Sequence, residues 1–220
     1  MKGKTMRRSR ALLLLLCVIL FSSCMGVRAD ITVKADGSGR ISLEYRVSRQ
    51  MEALGQLDGN LNQPTIPVGR QDFERSLARL PGLTLRSFSS KQDEKNIINQ
   101  AEIDFAGLEA LIPFLDAAGE GASLSRTGGQ TSLRLTLSRG AADIDEDLLS
   151  LAELVSAGYE AAISLAGPRE TSLALFDHSH QPIQTPKGAE WVKSGKKASI
   201  AIPIPQLLSL REGLELEFTW

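Results

Sequence analysis

The chain has 220 residues, with 25 Lys or Arg and 26 Asp or Glu, for a formal net charge of −1. Lys2, Lys4, Arg7, Arg8 and Arg10 open it without an acid, so the remainder carries 20 basic residues (25 less 5) against 26 acidic. That excess argues against nucleic acid, whose binding needs a basic face, and two cysteines in all exclude a disulfide framework.

Behind the basic segment runs an unbroken apolar stretch, Ala11 to Phe21. A charged start, a short apolar core and small residues after it read as an export signal over 1–23. Eleven residues rise only about 16 Å as a helix, well short of a hydrocarbon core about 30 Å thick. Phe21-Ser22-Ser23-Cys24 resembles a bacterial lipobox, with Phe where Leu is usual. In that pattern the cysteine takes a diacylglyceryl thioether and becomes the new N-terminus. Val27-Arg28-Ala29 is the competing site, an ordinary small-x-small cleavage before Asp30 that would secrete the protein. Cys17 lies in the signal and acylation consumes Cys24, so the 197 residues from Cys24 onward (220 less 23) must be held by their core. Two or three acyl chains, at ~0.8 kcal/mol per buried methylene, anchor stably where one does not.

Residues 24–30 read as a tether and 31–220 as a single domain. Ile31, Val33 and Ala35, the turn Asp36-Gly37-Ser38-Gly39, and then Ile41, Leu43, Tyr45 and Val47 predict a hairpin with one apolar face. Gly, Asn and Pro residues make 55–69 a loop. Phe73, Leu77 and Leu80 predict a helix over 71–80, stopped by Pro81-Gly82. Strands 83–89 and 97–105 follow. Leu108, Leu111, Ile112 and Leu115 mark a second helix, kept short or kinked by Pro113. A hairpin over 122–126 and 131–138 turns at Gly128-Gly129. Ile144, Leu148, Leu151 and Val155 give the third helix its buried face, with Asp143 and Glu146 as a capping box. Strands 159–166 and 171–176 are expected to form its hairpin at Gly167-Pro168. A helix-strand-strand unit thus recurs three times, with a period near 35 residues. Residues 177–197 read mostly as loop. Pro203 and Pro205 make Ala198–Ile204 an edge strand, and Leu214, Leu216, Phe218 and Trp220 line a last amphipathic strand. The expected class is α+β: antiparallel hairpins with about three helices packed on one face.

Candidate chemistry is sparse. His178 and His180 are the only histidines, so any histidine acid, base or triad must use one of them. With Asp177 they also make a three-donor metal candidate, against the plainer reading of a polar loop beside Pro182. Asp143, Asp145 and Asp147 begin a calcium-loop spacing, but Leu148 and Leu154 stand where Gly and Glu belong. They read instead as acids favoured at a helix N-terminus. Trp191 with Lys193, Lys196 and Lys197 is a candidate membrane-surface loop, aromatic at the interface and lysines on phosphates. The alternative is a hairpin whose Trp packs inward. Ser38 between glycines is no nucleophile elbow, because a strand and not a helix follows it. No catalytic residue and no cofactor motif is assigned.

The lipobox, Asp30-Ile31-Thr32-Val33, Asp36-Gly37-Ser38-Gly39 leading into Ile41–Val47, and the helix and hairpins after them resemble the LppM-type bacterial lipoprotein domain over about residues 24–140. The resemblance implies an α+β fold binding lipid or glycolipid, with no catalytic residues to carry over. The expectation is therefore a non-enzymatic lipoprotein of the cell envelope, on the periplasmic or surface face, held to its membrane by acyl chains on Cys24 and binding a lipid or other amphipathic ligand. The alternative is a scaffold or assembly subunit docking on an envelope protein. Met25 after the cysteine, in place of Asp, points toward the outer membrane under the enteric sorting rule.

Overall fold

The computed structural model describes residues 25–49, 70–116, 121–140 and 146–220. The expected signal over 1–23, Cys24, the expected loop over 55–69, Asp143, Ile144 and Asp145 lie outside these residues, as does the side chain of Leu148.

Two strands open the fold, β1 (Met25–Val33) and β2 (Gly39–Ser48). Then come α1 (Arg70–Leu77), β3 (Leu83–Gln92), β4 (Asn96–Phe105), α2 (Leu108–Leu115), β5 (Ala122–Thr127) and β6 (Gln130–Ser138). After them follow α3 (Glu146–Ser156), β7 (Glu160–Ala166), β8 (Ser172–Phe176), β9 (Glu190–Ser194), β10 (Lys197–Pro203), α4 (Ile204–Ser209) and β11 (Leu214–Thr219). The class is mixed α+β, with the strands in two sheets. The seven-stranded sheet runs β3-β4-β2-β1-β7-β10-β9 and the four-stranded sheet β5-β6-β11-β8. The pairing of β1 with β7 is parallel.

Alternation along each strand decides which face is buried. One rung across the large sheet sets Leu85, Ile103, Ile41, Ile31, Leu165 and Ala198 side by side. In the small sheet Leu124, Leu133, Phe218 and Leu173 form the matching rung. Both sets belong to one core, in which Ile41, Ile103, Leu133, Leu165, Leu216 and Phe218 are fully buried. Each such side chain contributes about 1.5–3 kcal/mol relative to exposure. The outward face of the large sheet carries cross-strand ion pairs instead: Arg40 Nε to Asp104 Oδ1 at 2.8 Å and Arg28 Nη2 to Glu160 Oε1 at 2.6 Å. The Arg40 guanidinium, donating to Asp104, holds that carboxyl below the ordinary aspartate range.

The helices pack on different elements. Helix α1 lies on β3, its Phe73 ring 6.1 Å from Tyr45 and 5.4 Å from Phe88. Helix α2 packs on β5, and α3 packs on α4. Leu151, expected on the buried face of α3, is 41% exposed, while Ala152 and Ser156 are buried. The small side chains Ala152 and Ser156 are the buried ones among the described side chains of this helix, and Leu151 and Leu154 face outward.

Four further readings are corrected. First, the tether over 24–30 is strand from Met25 onward, because residues 25–29 sit on the β2 ladder and 27–29 also on β7. Second, β7 and β8 are no hairpin: they belong to different sheets, joined by a crossing at Gly167, where a Cβ would lie 3.0 Å from the Trp220 ring. Third, residues 190–194, read as loop, form β9 and take the sheet edge. Fourth, β10, expected at the edge, lies between β7 and β9. Its prolines do not break the ladder, because Pro203 is the N-cap of α4 and Pro205 lies in that helix's first turn, where a missing N–H is harmless.

Candidate functional site

Most titratable groups of the candidate site meet on the outward face of the small sheet. Strand β8 ends at Phe176, and the next residues make a tight turn. Asp177 Oδ1 accepts the backbone N–H of Ser179 at 2.8 Å and of Gln181 at 2.9 Å. His180 adopts φ 60°, the left-handed region, and its N–H donates to the Asp177 carbonyl. The His178 N–H donates to the Glu212 carbonyl, which ties the turn to the start of β11. Both imidazoles are thereby set beside Glu215, the residue at the bulge in β11.

Glu215 is 5% exposed. Its Oε2 lies 2.9 Å from His180 Nδ1 and its Oε1 3.9 Å from His178 Nδ1. Arg134 on β6 pairs with Glu217 through Nη2 at 2.6 Å and Nε at 3.2 Å. Its Nη1 also reaches 3.4 Å from both ring nitrogens of His180, and its guanidinium lies 5.8 Å over the Phe176 ring. Arg134, His178, His180 and Glu215, with Gly121, Ser123, Thr136 and Arg139, line an open cleft of about 540 Å³. The cleft offers two guanidinium groups, one carboxylate and two hydroxyls together, which suits a polar ligand held by several hydrogen bonds.

The metal candidate is not assembled as expected. His178 and His180 do come together, but the Asp177 carboxylate is turned back into its own loop, where it caps two N–H groups. Glu215 takes the place beside the imidazoles, with Arg134 against His180, and a guanidinium there opposes a bound cation. Among the described residues no group of three or more His, Cys, Asp or Glu is arranged to hold a metal ion. Sequence reasoning missed Glu215 and Arg134. Glu215 sits between Leu214 and Leu216 in the alternating strand, and nothing local marks it as a histidine partner some 35 residues on from the turn.

The candidate membrane-surface loop is likewise split. Trp191 and Lys193 lie opposite Ile200 and Ala198, on the core side of the sheet, while Lys197 lies on the outward side. Lys193 Nζ pairs with Glu170 at 3.0 Å and Lys197 Nζ with Asp30 at 3.4 Å. Lys196 is in the turn between β9 and β10. The pleat divides these residues between two faces, so they do not form one lipid-facing surface. On the edge strand itself Trp191 is 46% and Val192 56% exposed.

Among the described residues no helix is long and apolar enough to cross a membrane. No protein-family profile matches the sequence, and no curated protein matches it. Among solved structures the chain is similar to the NMR structure of the folded domain of LppM from Mycobacterium tuberculosis, at 14% identity, covering 88% of each chain, with a TM-score of 0.46.

Proposed function

We propose that this is a non-enzymatic lipoprotein of the bacterial cell envelope, anchored through acyl chains on Cys24 and binding the polar part of an amphipathic ligand. The observation that carries the anchoring is the start of β1. Cleavage after Ala29 would remove Met25–Ala29, residues paired with β2 and, from Val27, with β7. It would also remove Arg28, which pairs with Glu160. Processing at Cys24 leaves the whole strand in place. For the ligand, the apolar faces of both sheets are spent on each other, so recognition falls to surface clefts with polar walls. The cleft around Arg134, His178, His180 and Glu215 is the best furnished of these.

Intact mass of protein from its host, with labelled palmitate, tests the anchor. The expected result is an acylated chain beginning at Cys24, with Cys24→Ser abolishing label and leaving precursor or soluble protein. A wild-type chain that begins at Asp30 without label overturns the reading.

A second reading is a scaffold that docks on an envelope protein partner, favoured by β9. All five of its residues are exposed, and among the described residues it is the last strand of the sheet. An extended segment of a partner adds to such an edge through backbone hydrogen bonds.

A further inference from the structure

The large sheet has no spacer behind it. Met25 is already in register with Val47, and Cys24 is one peptide unit, about 3.8 Å, before it. Lipoproteins with long flexible linkers leave their domains free to tumble; a domain whose first strand starts beside the acylated residue is held by one particular end.

That end can be named from the register. Gly26 abuts the connection between α3 and β7, where a Cβ on it would lie 3.4 Å from the Tyr159 ring. The connection leaving α3 is therefore beside the start of β1, and the last turn of α3 lies three residues before Tyr159. That turn carries Leu154, 74% exposed, with Leu151 three residues earlier at 41%. Leu154 is the most exposed large hydrophobic side chain among the described residues. Exposed Arg46, Arg49 and Lys95 lie at the same end of the sheet, where the Arg49 N–H donates to the Lys95 carbonyl. At the opposite end, Thr32 is in register with Ala166 and Ala166 with Lys197. Seven residues of strand, at about 3.3 Å each, put the Lys196 turn roughly 23 Å from Met25.

We propose that the acylated protein stands end-on against the lipid surface that holds its anchor. The Met25 end of the large sheet and the last turn of α3 lie in the headgroup layer, Leu154 enters the acyl boundary, and the β9–β10 turn points away. The occupant of the Leu151–Leu154 patch is thus lipid, brought to it by the neighbouring anchor. This rests on acylation at Cys24.

Acylation consumes Cys24 and signal cleavage removes Cys17, so one introduced cysteine is the only thiol available for labelling. The acylated full chain, labelled with an environment-sensitive fluorophore at Leu154→Cys or at Lys196→Cys, is placed in vesicles of phosphatidylethanolamine and phosphatidylglycerol bearing headgroup quenchers. Quenching at 154 should exceed that at 196 by roughly threefold or more. A flexible Gly-Ser insert of about ten residues between Cys24 and Met25, reaching roughly 5–6 Å × √n, should bring the two sites toward parity. Equal quenching without the insert, or stronger quenching at 196, overturns the orientation while an acylated intact mass leaves the anchor standing. A mass without acyl chains overturns both.

Discussion

Asn99 is a fully buried amide on the core side of the large sheet. It lies on β4 between Tyr45 and Ser90 on the neighbouring strands, fully buried, and neither its Oδ1 nor its Nδ2 has a hydrogen-bond partner among the described residues. A buried unsatisfied amide costs about 1–3 kcal/mol. Asn99→Leu is close in volume and removes both polar atoms, so it should raise unfolding free energy by about that amount in urea titration. A lower midpoint in the variant would mean that the amide is satisfied in solution. At this scale the sequence was partly legible. The inward positions Ile31, Ile41, Leu133, Leu214, Leu216 and Phe218 follow from alternation, and all are buried. Asn99 occupies an inward position that alternation assigns to an apolar side chain, and no local rule foretells it. The site was legible only as its histidines. Their partners Glu215 and Arg134 arrive from strands that local pattern does not place beside the turn.

Elements were read well where their causes are local and poorly where their partners are distant. Periodicity placed α1, α2 and the two hairpins β3–β4 and β5–β6, with the Gly128-Gly129 turn at positive φ in both residues. The third unit fails because β7 takes β1 as a parallel partner, far away in sequence, and Gly167-Pro168 then serves as a crossing and not a hairpin turn. β1 itself shows what distant pairing is worth. It is central in the large sheet, bonded on both sides, though its first six residues read as a tether. A chain beginning at Asp30 should lose the ladder of Met25–Ala29 and open the core edge around Tyr45 and Val47. The expected outcome is loss of cooperative unfolding and of dispersed amide resonances in NMR spectra. A chain truncated only to Met25 should keep both. If the Asp30 chain folds as well as the longer one, the structural argument for processing at Cys24 loses its basis.

At the scale of the whole molecule, the two sheets are one cooperative body because neither has a core of its own. Ile31 and Ile41 of the large sheet and Leu216 and Phe218 of the small one belong to a single buried cluster. The chain also weaves between sheets, with β7 in one, β8 in the other, β9 and β10 back in the first and β11 in the second. Unfolding one sheet therefore strips the inner face of the other. The two tryptophans report on this separately: Trp191 on β9 of the large sheet, and Trp220 just beyond β11 of the small one, its backbone paired with Thr131. Trp191→Phe leaves only the small-sheet probe and Trp220→Phe only the large-sheet probe. In each variant, tryptophan fluorescence and far-UV circular dichroism should give coincident urea midpoints, as two-state unfolding requires. Leu216→Ala, a cavity in the small sheet, should cost about 2–5 kcal/mol and should move the Trp191 signal as far as the Trp220 signal. If Trp191 reports an unchanged midpoint while Trp220 reports a lower one, the sheets unfold independently and the shared core does not couple them.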